Sequence, residues 1–285
     1  NSPYQPYSSF AGDPIYLNLD DLGVQAPAFH ESDARVDYEA VRAFKEPYLR
    51  KAFAIFHPDE DYAVFVGQEW VREYAIFATF KKRNGMRCWN EWPEPMKRYP
   101  EDPSLPLDEY EEEIRYEMFL QYAFFRQWSA LKKTANRFGI YMMGDIPFYV
   151  GLDSQDVWAG KANFLLDDDG RPAFVAGVPP DYFSKTGQRW GNPIYNWDYM
   201  QKQGFAFWLE RLRYSSVLFD IVRIDHFRAF DTYWKIPASC PTAEEGEWVE
   251  APGYAFFNLV REKLPAVAIV AEDLGVLRPE VHALR

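Results

Sequence analysis

Basic runs are missing from this 285-residue chain. Lys and Arg number 31 against 43 Asp and Glu, a formal net charge of −12, so a nucleic-acid phosphate backbone is excluded as an expected partner. Cysteine is nearly absent. Cys88 and Cys240 form no CxxC and join no Cys/His cluster, which argues against a disulfide framework and fits the reduced thiols of a cytosolic protein. Histidine is scarce too: His30, His57, His226 and His282 show no zinc-ligand spacing. LDDDG (166–170) lacks the spaced ligands and terminal Glu of an EF-hand loop and reads as a solvated hairpin turn. No GxGxxG, phosphate loop or GxSxG occurs, so no cofactor and no metal is expected. The longest apolar runs, such as AVAIVA (266–271), are far too short to cross a bilayer. No charged-then-apolar signal segment opens the sequence. A cytoplasmic protein with no membrane partner is the expectation, a plastid being possible for a plant or algal source.

What is present is apolar and aromatic. Hydrophobic residues make up 48% of the chain, and Trp, Tyr and Phe alone 18%. An aromatic content this high fits a well-packed core. It equally fits a cleft lined with flat amphipathic platforms, which suit sugar rings. The opening NSPYQPYSSFAGDPIYLNL and the closing AEDLGVLRPEVHALR read as a fragment cut at both ends. Residues 32 to about 85 carry apolar positions at three- and four-residue spacing, broken at Pro58 and Asn84-Gly85, and are expected to be helical. RCWNEWPEPMKRYPEDPSLPLDEY (87–110) reads as a loop. A further helix over about 108–138 starts acidic and ends basic before a Gly, as the helix dipole favours.

Beyond residue 139 the texture changes. IYMMGDIPFYV (140–150), LFDIVRID (218–225) and PAVAIVAEDLG (265–275) read as buried strands, and ANFLLDDDGRPAFVAGVPP (162–180) as a hairpin turning at Asp169-Gly170. FAFWLERLRYSS (205–216) and GYAFFNLVREKL (253–264) are helical patterns preceding two of those strands. Helices alternating with near-continuous apolar strands predict an α/β fold with a parallel sheet.

Three of the strands close on a carboxylate: Asp145, Asp225 and Glu272. In a (β/α)8 barrel all strands open on one face, so distant strand ends would meet there. Glycosidic chemistry gives two such carboxyls a purpose: one stays ionised to attack or shelter a sugar carbon, the other keeps a proton for the departing oxygen. Arg223, two residues before Asp225, points to the same side of the strand and is expected to hold Asp225 ionised. Glu272, in an apolar strand and near another negative charge, is expected to hold its proton more tightly. Asp225 is then the nucleophile and Glu272 the general acid/base. The plainer readings are a strand-end cap, a buried ion pair for the RxD pattern, or a helix N-cap, the role favoured for Asp273.

NSPYQ, FAGDP, GDIPFYVGLDSQDVW, VAGVPPDYFSKTGQRWGNPIYNWDYM, RIDHFRAFDTYWKIPA and AEDLG, in that order along the chain, resemble the amylomaltases. This is the 4-alpha-glucanotransferase or disproportionating-enzyme family, related to the alpha-amylases. The resemblance implies a (β/α)8 TIM-type barrel, incomplete in this chain, with a helical insertion. The implied layout is residues 1–19 as barrel strand and loop, 20–137 as the mostly helical insertion, and 138–285 as barrel with a hairpin and active-site loop at about 151–200. It implies retaining transfer between alpha-1,4-glucans, with malto-oligosaccharides as partners. Its nucleophile falls on Asp225, its acid/base on Glu272 and the Arg of its RID on Arg223. Sugar contacts fall on Tyr4, Asp145 and His226, and a loop over the cleft on 177–193, where Tyr182, Phe183 and Trp190 would flank the glucan. Asn192 and Tyr195 read as loop scaffolding. Ala229 stands where the family has Gly, a small departure. The family's third acidic group, an Asp preceded by His on a later strand, is expected beyond the end of this sequence, so reduced activity of the isolated piece is expected. A glucan hydrolase and a non-catalytic glucan-binding piece are the alternatives.

Overall fold

The computed structural model describes residues 4–29, 35–274 and 278–284. The motif residues 1–3 and 275, and His30, lie outside them. Two compact units emerge: residues 11–86 with 103–138, and residues 4–10, 87–102 and 139–284.

The first unit is helical. Helices α1 (Tyr38–Ile55), α2 (Glu60–Val66) and α3 (Glu69–Arg83) take up most of the stretch expected to be helical, whose first residues, 32–34, lie outside the described ones. Asp37 caps α1 by accepting from the amides of Glu39 and Ala40, and Asp59 caps α2 through the Tyr62 amide, satisfying donors a helix start leaves free. Apolar faces of this unit meet in a core that includes Leu17, Leu49, Tyr116, Phe119 and Leu120.

Helix α4 (Glu94–Lys97) belongs to the second unit and breaks the expected loop over 87–110. The Trp residues there are core, not loop decoration: Trp89 and Trp92 are buried. Trp89 Nε1 donates to the Leu152 carbonyl at 2.6 Å, and Trp158 Nε1 to that of Met96 at 3.0 Å. These bonds tie residues 87–102 to the second unit, although the expected boundary put them in the insertion. Helix α5 (Glu111–Arg137) returns to the helical unit, with Glu111, Glu112 and Glu113 in its first turn. Gln121 at its centre is fully buried and bonds both the N–H (2.8 Å) and the C=O (3.0 Å) of Gly12. A Cβ at Gly12 would lie 2.1 Å from the Phe124 ring, so the chain can pass there only as glycine. This pairing places residues 11–19 with the helices, where a barrel strand and loop were expected; the described part of 4–19 holds no strand.

The second unit is α/β. Its further elements are β1 (Met143–Pro147), α6 (Gln155–Ala159), β2 (Phe174–Val178), β3 (Gln188–Pro193), α7 (Trp197–Lys202), α8 (Ala206–Leu218), β4 (Ile221–Asp225), β5 (Thr232–Pro237), β6 (Glu247–Glu250), α9 (Gly253–Lys263), β7 (Ile269–Ala271) and α10 (Pro279–Leu284). Strands β1, β4 and β7 pair in that order, all parallel. Gly144 in β1 lets Phe219, just ahead of β4, press on the strand: a Cβ there would lie 2.1 Å from its ring. A second, antiparallel sheet runs β3-β2-β5-β6. The expected turn at 167–170 exists, closed by Gly170 N to Asp167 O at 3.0 Å. Its strands hold only the Leu166–Pro172 bridge, however, because β2 takes β3 and β5 as partners. Many aromatics in this unit are core: Phe148, Tyr195, Trp208, Phe230 and Phe256 are buried, with the Phe230 and Phe256 rings stacked at 5.1 Å. Among the described residues no helix is long and apolar enough to cross a membrane.

Candidate active site at the strand ends

Strand β4 resolves why so many ionisable groups crowd an apolar run. Val222 and Ile224 are buried at 1% and 0%, while Arg223 and Asp225 fall on the alternate, half-exposed face, as a strand's two-residue period requires. Parallel register then does the gathering. Asp145 of β1 pairs with Arg223, Pro147 with Asp225, and Ala271 of β7 with Ile224. Glu272 follows Ala271, and its N–H donates to the Ile224 carbonyl at 3.1 Å, which brings it level with Asp225.

Arg223 holds two carboxylates at once. Its Nη1 donates to Asp145 Oδ1 at 2.6 Å and Oδ2 at 2.7 Å, and to Asp225 Oδ1 at 3.2 Å. The Tyr4 hydroxyl donates to Asp145 Oδ2 from the other side at 3.1 Å. Glu272 Oε2 accepts the backbone N–H of His226 at 2.5 Å. That N–H is aimed by a left-handed kink, φ 54° at His226, a conformation uncommon for a residue with a side chain.

Electrostatics differ in one respect from the expectation. Asp225 is pushed above the usual carboxylate range, by burial first and then by the charge of Asp145, while Arg223 opposes both. Arg223 therefore moderates the proton affinity of Asp225 and does not depress it outright, because its shortest contacts go to Asp145. Glu272 is also pushed up, chiefly by burial and further by the charges of Asp225 and Asp145; the His226 N–H and Arg223 pull the other way. Arg223 bonds directly only to Asp225 of this pair, and the His226 N–H only to Glu272; each contact favours the anion of the group it touches. His226 is pushed down to about 4 by burial and by the charge of Arg228. Its Nε2 is sealed from solvent without a hydrogen bond among the described residues, so its ring is neutral near pH 7.

The aromatic expectations divide. Trp190 on β3 packs edge-on against the His226 ring at 4.8 Å. Tyr182 and Phe183 are 97% and 90% exposed on a turn built by Asp181, whose Oδ1 accepts the amides of Phe183 and Ser184; their rings meet edge to face, 5.6 Å apart. Asn192 and Tyr195 are tied to the exit of β1, through Val150 O at 2.9 Å and Phe148 O at 2.6 Å. The N-cap reading of Asp273 runs onto residues 275–277, outside the described ones; among the described residues the next helix is α10, from Pro279. Sequence reasoning passed over Tyr149, whose buried ring stacks on Tyr195 at 5.7 Å and sits 6.4 Å from His226. It also passed over Arg211, a cation on the buried stripe Trp208–Leu212–Ser215 of α8. A charge at helical core spacing was the available signal for Arg211; for Tyr149 there was none. No group of His, Cys, Asp and Glu suited to a metal occurs among the described residues.

Parallel strands with helices leading into β4 and β7, and acidic groups clustered where the strands end, define an arc of a (β/α)8 barrel. Within that class the chain belongs to the 4-alpha-glucanotransferase family, whose model matches residues 1–285. It is 47% identical over 300 residues to the 4-alpha-glucanotransferase of Thermus thermophilus and 43% over 306 residues to that of Synechocystis. Each alignment covers 100% of this chain and 60% of the relative. Among solved structures it is similar to the amylomaltase of Streptococcus agalactiae in complex with acarbose, with a TM-score of 0.94 at 36% identity, covering 100% of this chain and 61% of that one. The chain thus spans about 60% of the length of the curated relatives it matches.

Proposed function

We propose that the protein is a retaining 4-alpha-glucanotransferase acting on malto-oligosaccharides, with Asp225 as nucleophile and Glu272 as general acid/base. The carrying observation is the junction of β4 and β7, where Glu272 bonds the N–H of the residue next to Asp225 and Arg223 bonds Asp225. Retaining chemistry needs two carboxyls about 5 Å apart, and side chains from adjacent parallel strands, whose backbones lie about 4.8 Å apart, suit that requirement. In the first step the Asp225 carboxylate forms a bond to the anomeric carbon as the glycosidic C–O bond breaks. Glu272 gives its proton to the leaving oxygen. In the second step an acceptor 4-hydroxyl loses its proton to Glu272 and bonds the same carbon, releasing Asp225. Two inversions retain configuration.

Tyr4, Asp145 and His226 are assigned to sugar contact, and Tyr182, Phe183 and Trp190 to the walls of the cleft. Exclusion of water by the 177–193 loop would favour transfer over hydrolysis. The proposed organisation keeps a barrel with a helical insertion, and the proposed location is the cytoplasm, or the plastid in a plant or alga. The test is incubation with maltotriose. Transfer yields glucose together with longer oligomers, hydrolysis yields glucose and maltose without elongation, and a binding module yields neither. Asp225→Asn should abolish turnover and leave glucan binding intact; retained transfer sinks the assignment.

A further inference from the structure

Two buried charges of the α/β unit take no part in the chemistry above. Arg211 on α8 is 2% exposed and Asp156 on α6 is 4% exposed. Buried ions persist only where partners hold them, so what these two touch indicates what they do.

Arg211 reaches the exit of β1. Its Nη2 donates to the Pro147 carbonyl at 2.7 Å, and its Nη1 to the Phe148 carbonyl at 3.2 Å and the Tyr195 hydroxyl oxygen at 3.1 Å. The Tyr195 hydroxyl donates in turn to the Phe148 carbonyl at 2.6 Å. The guanidinium lies 4.3 Å from the centre of the Trp208 ring, so its plane is fixed. Those two carbonyls come two and three residues after Asp145.

Asp156 reaches the other side of the same contact. Its Oδ2 accepts the Ser9 N–H at 2.8 Å. Beside it, the Gln155 N–H donates to the Tyr7 carbonyl at 2.8 Å and the Ser8 hydroxyl to Gln155 Oε1 at 2.9 Å. Residues 7–9 are therefore anchored just downstream of Tyr4. Burial raises the proton affinity of Asp156, and the charge of Arg211 is the leading opposing influence. Among the described residues, Asp156 Oδ1 and Arg211 Nε are buried without hydrogen bonds.

We propose that Asp156 and Arg211 are two positioning residues that together set where Tyr4 meets Asp145. Arg211 fixes the backbone leaving Asp145, and Asp156 fixes the backbone leaving Tyr4. The kinetic consequence rests on the transferase reading above; the positional consequence does not.

The test uses the complete gene product and two conservative variants. Arg211→Lys keeps the charge but loses the planar fork that spans successive carbonyls. Asp156→Asn keeps the shape and an acceptor for Ser9. Each should lower kcat for maltotriose disproportionation about 10–100-fold per folded molecule, the loss expected for misplacement near 1 Å, with KM little changed. Crystal structures should show the Tyr4 hydroxyl out of hydrogen-bond range of Asp145. Variants that fold, keep kcat within about twofold and retain the Tyr4–Asp145 bond overturn the proposal. Should Arg211→Lys fail to fold, Asp156→Asn decides by itself. A wild-type protein without transfer activity refutes the function reading, and the Tyr4–Asp145 distance in the variants still decides this one.

Discussion

Replacing Arg223 by Met removes the cation shared by Asp145 and Asp225 without emptying the space its stem fills. Asp225 loses a charge-assisted bond of 3.2 Å, and Asp145, 36% exposed, loses contacts of 2.6 and 2.7 Å. A hydrogen bond to a charged group is worth about 1.5–3 kcal/mol. Since Arg223 and Asp225 are 26% and 30% exposed, solvent screening favours the lower end, about 1.5–2 kcal/mol. At about 1.4 kcal/mol per pH unit, the Asp225 carboxyl should gain about 1–1.5 units. The sign is upward, because the lost bond favoured the anion and the remaining neighbour is another acid. The Asp225 pKa already lies above its ordinary value, so the acid limb of kcat/KM should move further toward neutrality. The assay is kcat/KM for maltotriose from about pH 4 to 8, which reports ionisations of the free enzyme. Arg223→Lys should recover most of the limb position, having kept the charge. An acid limb that stays within about 0.3 unit, or moves down, refutes the idea that Arg223 favours the Asp225 anion.

The remaining expectations concern stability and partition. His226, held down to about 4 in the fold against about 6.5 in the unfolded chain, contributes stability above pH 6.5 that is lost as pH falls toward 4, at most about 3 kcal/mol. Urea unfolding of His226→Asn across that window should show a shallower pH slope, and an unchanged slope counts against burial as the cause. Asp225→Asn and Glu272→Gln should each raise Tm near pH 7, because both carboxyls are easier to bury neutral than ionised; a lower Tm in both contradicts that. Gln121→Ala should cost about 2–5 kcal/mol in denaturant unfolding by stranding the buried N–H and C=O of Gly12, and a loss below about 1 kcal/mol would mean water replaces the amide. Shortening the loop that carries Tyr182 and Phe183 should raise hydrolysis relative to transfer; an unchanged product ratio removes that loop from water exclusion.

The sequence by itself determined the longer helices, the strands β1, β4 and β7, and the side of β4 its charges would take. Apolar periodicity marked α1, α3, α5, α8 and α9, and the two-residue alternation in IVRID put Arg223 and Asp225 on one face, because local steric rules operate over a few residues. Only the tertiary structure decided partnership. Nothing local in FVAGV shows that it pairs with QRWGNP and TYWKIP instead of the neighbouring ANFLLDDDG, since strand pairing is settled by which distant surfaces bury best. The same holds for Trp89 and Trp158, whose indole N–H groups draw a Pro-rich stretch into the α/β unit. It also holds for Arg223, whose shorter contacts run to Asp145, 78 residues away, and not to Asp225, two residues away. Proton affinity depends on burial and on charges brought close by folding, and neither is written in the order of the residues.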